Sequence, residues 1–162
     1  MNYLTKDKYF ELTKKYKCIN WDHAEQRWRY HKKAVDMLIK MKPNTILEAG
    51  SLGIKLCEQS ETIDYSESGW ESFYTPTYDH DLKELPWPVK TYDVFVALRV
   101  FHHLTDKPHE YLDEMKRISK QAMIAVDEKA YKIYRNALKP DIEIKLGGTI
   151  ILYYGFHKKI LG

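Results

Sequence analysis

Gly50 and Gly53 stand directly after a short apolar run, Thr45-Ile46-Leu47, that carries into Glu48. The run is too brief for a helix and suits a buried parallel strand. A glycine just past a strand lets the chain turn sharply and lets a ligand approach the main chain. Alone, Glu-x-Gly-x-x-Gly carries little, because glycines after strands are common. Three further phrases follow it in order: Thr62-Ile63-Asp64, then Asp81-Leu82, then Tyr92-Asp93-Val94-Phe95-Val96-Ala97. An acid after a second apolar step, then a third acid, then a strongly apolar strand, together suit a nucleotide-type ligand lying across strand ends.

Such strand ends need a sheet, and the chain offers its parts in sequence. A short helix is expected around Tyr9 to Tyr16. A second runs from about Asp22, with Asp22 as cap and Glu25 at capping-box spacing. Its apolar positions, Trp28, His31, Ala34 with Val35, and Leu38 with Ile39, repeat at helical spacing, and Pro43 stops it. Ile54 to Gln59 has room for barely two helical turns. Strands are expected over Glu61 to Asp64, along Tyr78 to Leu82 at an edge, over Tyr92 to Leu98, and over Met123 to Val126. Ser66 to Trp70 reads as a loop or short helix, and Leu85-Pro86-Trp87-Pro88 as neither helix interior nor central strand. A helix capped by Asp106, with Pro108 in its first turn, turns Tyr111, Leu112, Met115 and Ile118 inward. Another spans Ala130 to Leu138. Asp141 to Leu146 and Thr149 to Phe156 flank Gly147-Gly148 as a hairpin. Strands alternating with helices argue for an α/β fold with a parallel sheet covered on both faces and an antiparallel edge.

The composition narrows the class. With 162 residues, 44% hydrophobic and 30% charged, one globular domain is expected. No apolar run reaches the roughly 20 residues needed to cross a bilayer, and no signal-peptide core is evident, so a cytoplasmic protein away from the membrane is expected. Cys18 and Cys57 make no disulfide framework, and no Cys/His set has zinc spacing, so no metal is expected. A net charge of +3 permits an anionic substrate, while no basic arm calls for nucleic acid.

Glu48-Ala49-Gly50-Ser51-Leu52-Gly53, Asp64, Asp81-Leu82-x-x-Leu85-Pro86-Trp87, and Tyr92 to Ala97 followed by Phe101-His102-His103-Leu104 are similar to the class I S-adenosylmethionine (SAM)-dependent methyltransferases. The likeness is to their small-molecule branch and covers roughly residues 27 to 156. It implies a Rossmann-like, doubly wound, mostly parallel sheet with a C-terminal antiparallel hairpin, in a minimal version. Residues 1–162 then form a single methyltransferase-like domain, with 1–26 an N-terminal extension or lid. The resemblance also implies roles. Gly50, Ser51, Leu52 and Gly53 would bring backbone amides to the methionine part of SAM, with Glu48 ordering that loop. Asp64 would accept the ribose hydroxyls, Tyr65 beside it joining the cofactor set. Asp81 and Leu82 would face the adenine. Ala97, Leu98 and Arg99 would line the methionine side.

The sequence also departs from that pattern. Gly50 to Asp64 is fourteen residues, where such folds place about 20 between glycine loop and acid. The first crossover helix must shrink to a turn or a loop, and a third loop glycine is missing. Such trimming leaves sheet surface for a partner subunit to hide, a second copy of the chain included.

Methyl transfer is an in-line displacement that depends on holding nucleophile and methyl in near-attack geometry. A hydroxyl nucleophile also needs a base, a role histidine suits near neutral pH. His102 and His103, just past the fourth strand, are the candidates; the plainer reading packs one and makes the other a helix cap. Asp64 can equally be a turn acid and Asp81 a loop cap. The segment Trp21 to His31 reads either as a lid over the cofactor or as an aromatic-rich helix on the sheet. Tyr153, Tyr154 and His157 either shape the acceptor pocket or pack. No Asn-Pro-Pro-Tyr-like phrase, no Pro-Cys after a strand and no Walker loop is present. The expected activity is transfer of a methyl group to an oxygen or nitrogen of a small metabolite or sugar derivative. The alternative is a reduced methyltransferase-like partner subunit with little catalysis, and a weaker one an RNA methyltransferase. An oxidoreductase fits the later motifs less well.

Overall fold

The computed structural model describes residues 1–15, 23–65 and 75–156. Helices α1 (Lys6–Lys15) and α2 (Ala24–Met41) come first. Then follow strands β1 (Ile46–Ala49), β2 (Glu61–Asp64), β3 (Tyr78–Asp79) and β4 (Tyr92–Leu98). Helix α3 (Pro108–Ile118), strand β5 (Ser119–Val126), helix α4 (Glu128–Ala137) and strands β6 (Ile142–Leu146) and β7 (Thr149–Gly155) complete the chain. The sheet has the order β3-β2-β1-β4-β5-β7-β6. β1 to β5 run parallel, while β7 lies antiparallel between β5 and β6. This is the expected doubly wound sheet with an antiparallel C-terminal hairpin.

Burial on both faces explains the apolar strands. Along β4, Phe95 and Ala97 turn toward α3 and α4, joining Ile63, Ile124, Leu152 and the expected helix face of Tyr111, Leu112, Met115 and Ile118. Phe101, just past β4, meets Phe95, Tyr111 and Tyr134 edge-on. Val94 and Val96 point the other way, with Ile46 and Met123, against Ala34, Val35 and Leu38 of α2. Leu85 to Pro88 is a loop, tied down where Arg117 donates to the Leu85 and Trp87 carbonyls and Glu114 accepts the Leu85 N–H.

The connection from β1 to β2 holds no helix, as its length requires. The chain's own N-terminus covers the face this exposes. Leu4 N–H donates to the Leu56 carbonyl at 2.8 Å and Glu58 N–H to the Asn2 carbonyl at 3.0 Å. Tyr9 of α1 is fully buried, its hydroxyl on the Ala24 carbonyl at 3.0 Å and its ring against Trp28 and His31. The sheet surface assigned to a partner subunit is thereby filled from within the chain.

Several element ends differ from expectation. α2 is capped at His23 without a side-chain bond, one residue beyond the expected Asp22, which lies outside the described residues. Lys107, not Asp106, is the N-cap of α3, because Pro108 occupies the first helical position and fixes the cap one residue before it. α4 begins at Glu128 because Asp127 caps it, accepting Ala130 N–H at 2.8 Å. β5 starts earlier than Met123, at Ser119, where a polar stretch still pairs with Tyr92 and Val94 of β4. Only Tyr78 and Asp79 form β3, and Ile39 of α2 faces solvent, 48% exposed. Ser66 to Trp70, Cys18, Trp21 and His157 lie outside the described residues.

Candidate active site

β1 and β4 end side by side, with Ala49 opposite Ala97, so the loops leaving them start in contact. Gly50 carries φ 67 and donates its N–H to the Ile63 carbonyl at 3.1 Å. A Cβ built there would stand 2.2 Å from Val100 Cγ2, so only glycine fits between the two loops. Where the third glycine is missing, Leu52 takes a left-handed backbone at φ 50, a conformation that costs a side chain about 1–2 kcal/mol. Ser51 Oγ is buried with no hydrogen-bond partner.

Glu48 is 3% exposed and accepts the Leu56 N–H at 2.8 and 3.1 Å. Burial pushes its carboxyl up to about 7, against the pull of the Leu56 amide. It fastens the β1–β2 connection beyond the glycine loop.

A cavity of about 200 Å³ opens over the ends of β1, β2 and β4. Gly50 and Leu52 form one wall, Asp64, Tyr65, Asp81 and Leu82 another, and Arg99 and His103 a third. Burial, and then the nearby Asp79 charge, pushes the Asp64 carboxyl up to about 7. Asp64 Oδ2 is buried and accepts no hydrogen bond. Such an atom is costly unless a donor reaches it. Asp81 turns one oxygen onto the Lys83 N–H at 2.9 Å while still lining the cavity.

A second cavity, of about 90 Å³, lies on the other side of the glycine loop. Glu48, Gly50, Ser51, Leu52, Leu98 and Arg99 meet Arg27, Tyr30 and His31 of α2 there. His31 Nδ1 lies 2.8 Å from the Arg27 carbonyl, and burial holds the ring down to about 4, hence neutral near pH 7. Arg99 borders both cavities, at φ 63, with its N–H on the Ala125 carbonyl at 2.8 Å.

Glu48, Gly50, Ser51, Leu52, Asp64, Tyr65, Asp81, Leu82, Leu98, Arg99 and His103 are thus brought to these two cavities. Ala97 is buried in the sheet core beneath them, and Gly53 borders a separate cleft beside the N-terminal segment. His102 lines neither cavity; its ring lies 3.7 Å from that of His103, centroid to centroid. Burial, then His103 and Arg99, holds it down to about 4, and its Nδ1 is buried without a partner. Arg27 and Tyr30 were legible only as part of the Trp21 to His31 segment, read as a lid or a packed helix; Arg27 stands one turn before His31 and Tyr30 one turn before the buried Ala34. Tyr154 packs in the core and Tyr153 donates to Gln121 at 2.7 Å. Among the described residues no group of three or more His, Cys, Asp or Glu is placed to hold a metal ion, and no helix is long and apolar enough to cross a membrane.

The family described as methyltransferase domain matches residues 50–126, from the glycine loop to the end of β5. The solved structure of the ribosomal protein L11 methylase from Lactobacillus delbrueckii subsp. bulgaricus is similar in fold, with TM-score 0.56 at 16% identity over 79% of this chain and 77% of that one. Magnesium protoporphyrin IX methyltransferase from Synechocystis PCC 6803, solved with bound SAM, is similar with TM-score 0.55 at 15% identity over 83% of both chains. No curated protein matches the chain. The chain thus carries a methyltransferase-domain match over residues 50–126 and has the fold of the class I SAM-dependent methyltransferases. The cofactor of that class is SAM.

Proposed function

We propose that the chain transfers the methyl group of SAM to an oxygen or nitrogen of a small metabolite or sugar derivative. The unpartnered Asp64 Oδ2 at the end of β2 carries this reading: ribose hydroxyls would supply the donors that it lacks. Asp81 and Leu82, on the same cavity wall, would take the adenine edge and face. The glycine-loop cradle, too tight at Gly50 for any side chain, suits close approach of the methionine part. Arg27, on the smaller cavity, is suited to its carboxylate.

Bound there, SAM supplies an electrophilic methyl on a sulfonium. The acceptor's lone pair makes the new bond as the carbon–sulfur bond breaks, its electrons remain on sulfur, and the acceptor loses a proton. The chain orients the acceptor and excludes water. His102, held neutral, would accept that proton, while His103 lines the cofactor cavity. The ground for a non-catalytic partner subunit is the shortened connections; the sheet face beside them is covered by α1 and α2.

Release of S-adenosylhomocysteine from SAM, measured against a panel of hydroxyl- and amine-bearing small molecules, tests the proposal. Acceptor-dependent release supports it. Tight cofactor binding with no turnover on any member of the panel contradicts it.

A further inference from the structure

Beyond the two cofactor cavities lies a larger cleft of about 430 Å³, between the first turns of α2 and the β6–β7 turn. Arg27, Arg29 and Arg99 line it, and no carboxylate does among the described residues. Three guanidiniums around one cleft repel one another unless an anion or solvent compensates them. Arg27 is engaged with the Tyr30 hydroxyl on one side. Arg29 is exposed on the α2 surface. Arg99 borders this cleft and both cofactor cavities, so it stands where the donor and acceptor spaces meet. His102 lies within the field of the same cluster, since Arg99 and Arg27 both lower its pKa. At the outer rim, a Cβ on Gly147 or Gly148 would meet nothing within 4 Å. The cleft therefore opens outward and leaves room for the body of a bound molecule.

We infer that the methyl acceptor is an anion, a small molecule bearing a carboxylate or phosphate, that Arg29 and Arg99 hold in this cleft with its nucleophile toward the cofactor. This names the acceptor class for the function proposed above and rests on it. Planar guanidiniums match both oxyanions through paired N–H donors.

Calorimetric titration of benzoate, phenyl phosphate and benzyl alcohol into the S-adenosylhomocysteine-saturated protein tests the inference. At least one anion should bind about tenfold or more tightly than benzyl alcohol, and added salt should weaken it. The better anion tells carboxylate from phosphate. R29Q, on an exposed helix surface, should reduce that affinity about three- to tenfold and leave S-adenosylhomocysteine binding unchanged. Benzyl alcohol binding as well as both anions, or anion affinity untouched in R29Q and R99Q alike, overturns the inference. If S-adenosylhomocysteine itself does not bind, the cofactor reading fails separately, and the same titrations on the cofactor-free protein still decide the cleft.

Discussion

Gly50 and Val100 hold the two central loops together: Val100 Cγ2 fills the place, 2.2 Å away, where any Cβ on Gly50 would sit. The φ of 67 at Gly50 adds a second demand for glycine. G50A should cost about 1–3 kcal/mol of overpacking and weaken S-adenosylhomocysteine binding at least tenfold. Trimming Val100 to alanine in the same chain should return part of the stability, though not the part lost to φ. Chemical denaturation of the single and double variants measures both. Additive losses would show that the two loops do not confront each other as described.

The ribose role proposed for Asp64 predicts a pH dependence of cofactor binding. Its carboxyl is raised to about 7 without ligand, and hydroxyl donors favour the ionised form. Affinity for S-adenosylhomocysteine should therefore rise with pH up to about 7 and level off above it, with proton release on binding below that point. D64N should bind about 10- to 100-fold more weakly, as expected for losing hydrogen bonds to a charged group, and with a flat profile. Calorimetry in two buffers of different ionisation enthalpy reads the proton directly.

Glu48 and Asp64 together should tilt the stability of the free protein. Both folded-state values lie near 7, above the ordinary carboxylate values of 4.5 and 3.8. The folded chain thus holds more protons than the unfolded one in this interval. Stability is fully present below the unfolded values and falls as pH rises from about 4 through about 7. E48Q keeps an oxygen for the Leu56 N–H and removes the charge, so it should flatten that fall. Thermal unfolding between pH 4 and 8 shows the slope.

Tyr9 stands in for the missing crossover helix. Y9A should cost about 3–5 kcal/mol, the range for deleting a buried aromatic side chain. Y9F, which loses only the bond to the Ala24 carbonyl, should cost about 1 kcal/mol. Near-equal losses in urea denaturation would contradict the packing role.

His102 is held neutral down to about pH 4. With saturating cofactor, kcat should hold its value down to about pH 5, because the free base persists there. If His102 takes the acceptor's proton, H102Q should lower kcat by about 10²–10⁴-fold, with little change in KM for SAM. H103Q should act mainly on KM, since His103 borders the cofactor cavity.

Much of this was legible in the sequence where a local rule decides the outcome. β2 and β4 fall on the expected residues because apolar runs bounded by turn residues leave few alternatives. Gly50, Asp64 and Asp81, singled out in the sequence as strand-end residues, line one cavity. Other features depend on contacts distant in sequence. Nothing near Tyr9 announces that it packs under β1, and Arg27 and Arg99, which share a cavity, lie on separate elements. Leu52 shows how tertiary contacts override local preference: its left-handed backbone is one that leucine disfavours.

A crystal soaked with S-adenosylhomocysteine tests the central claim most directly. The account predicts the Asp64 carboxylate about 3 Å from both ribose hydroxyls, the adenine against Leu82, and the sulfur beside Gly50 with its open side toward Arg99. Ribose bound away from Asp64, or no ligand density at saturating concentration with Leu52 and Arg99 closing the cleft, would contradict it.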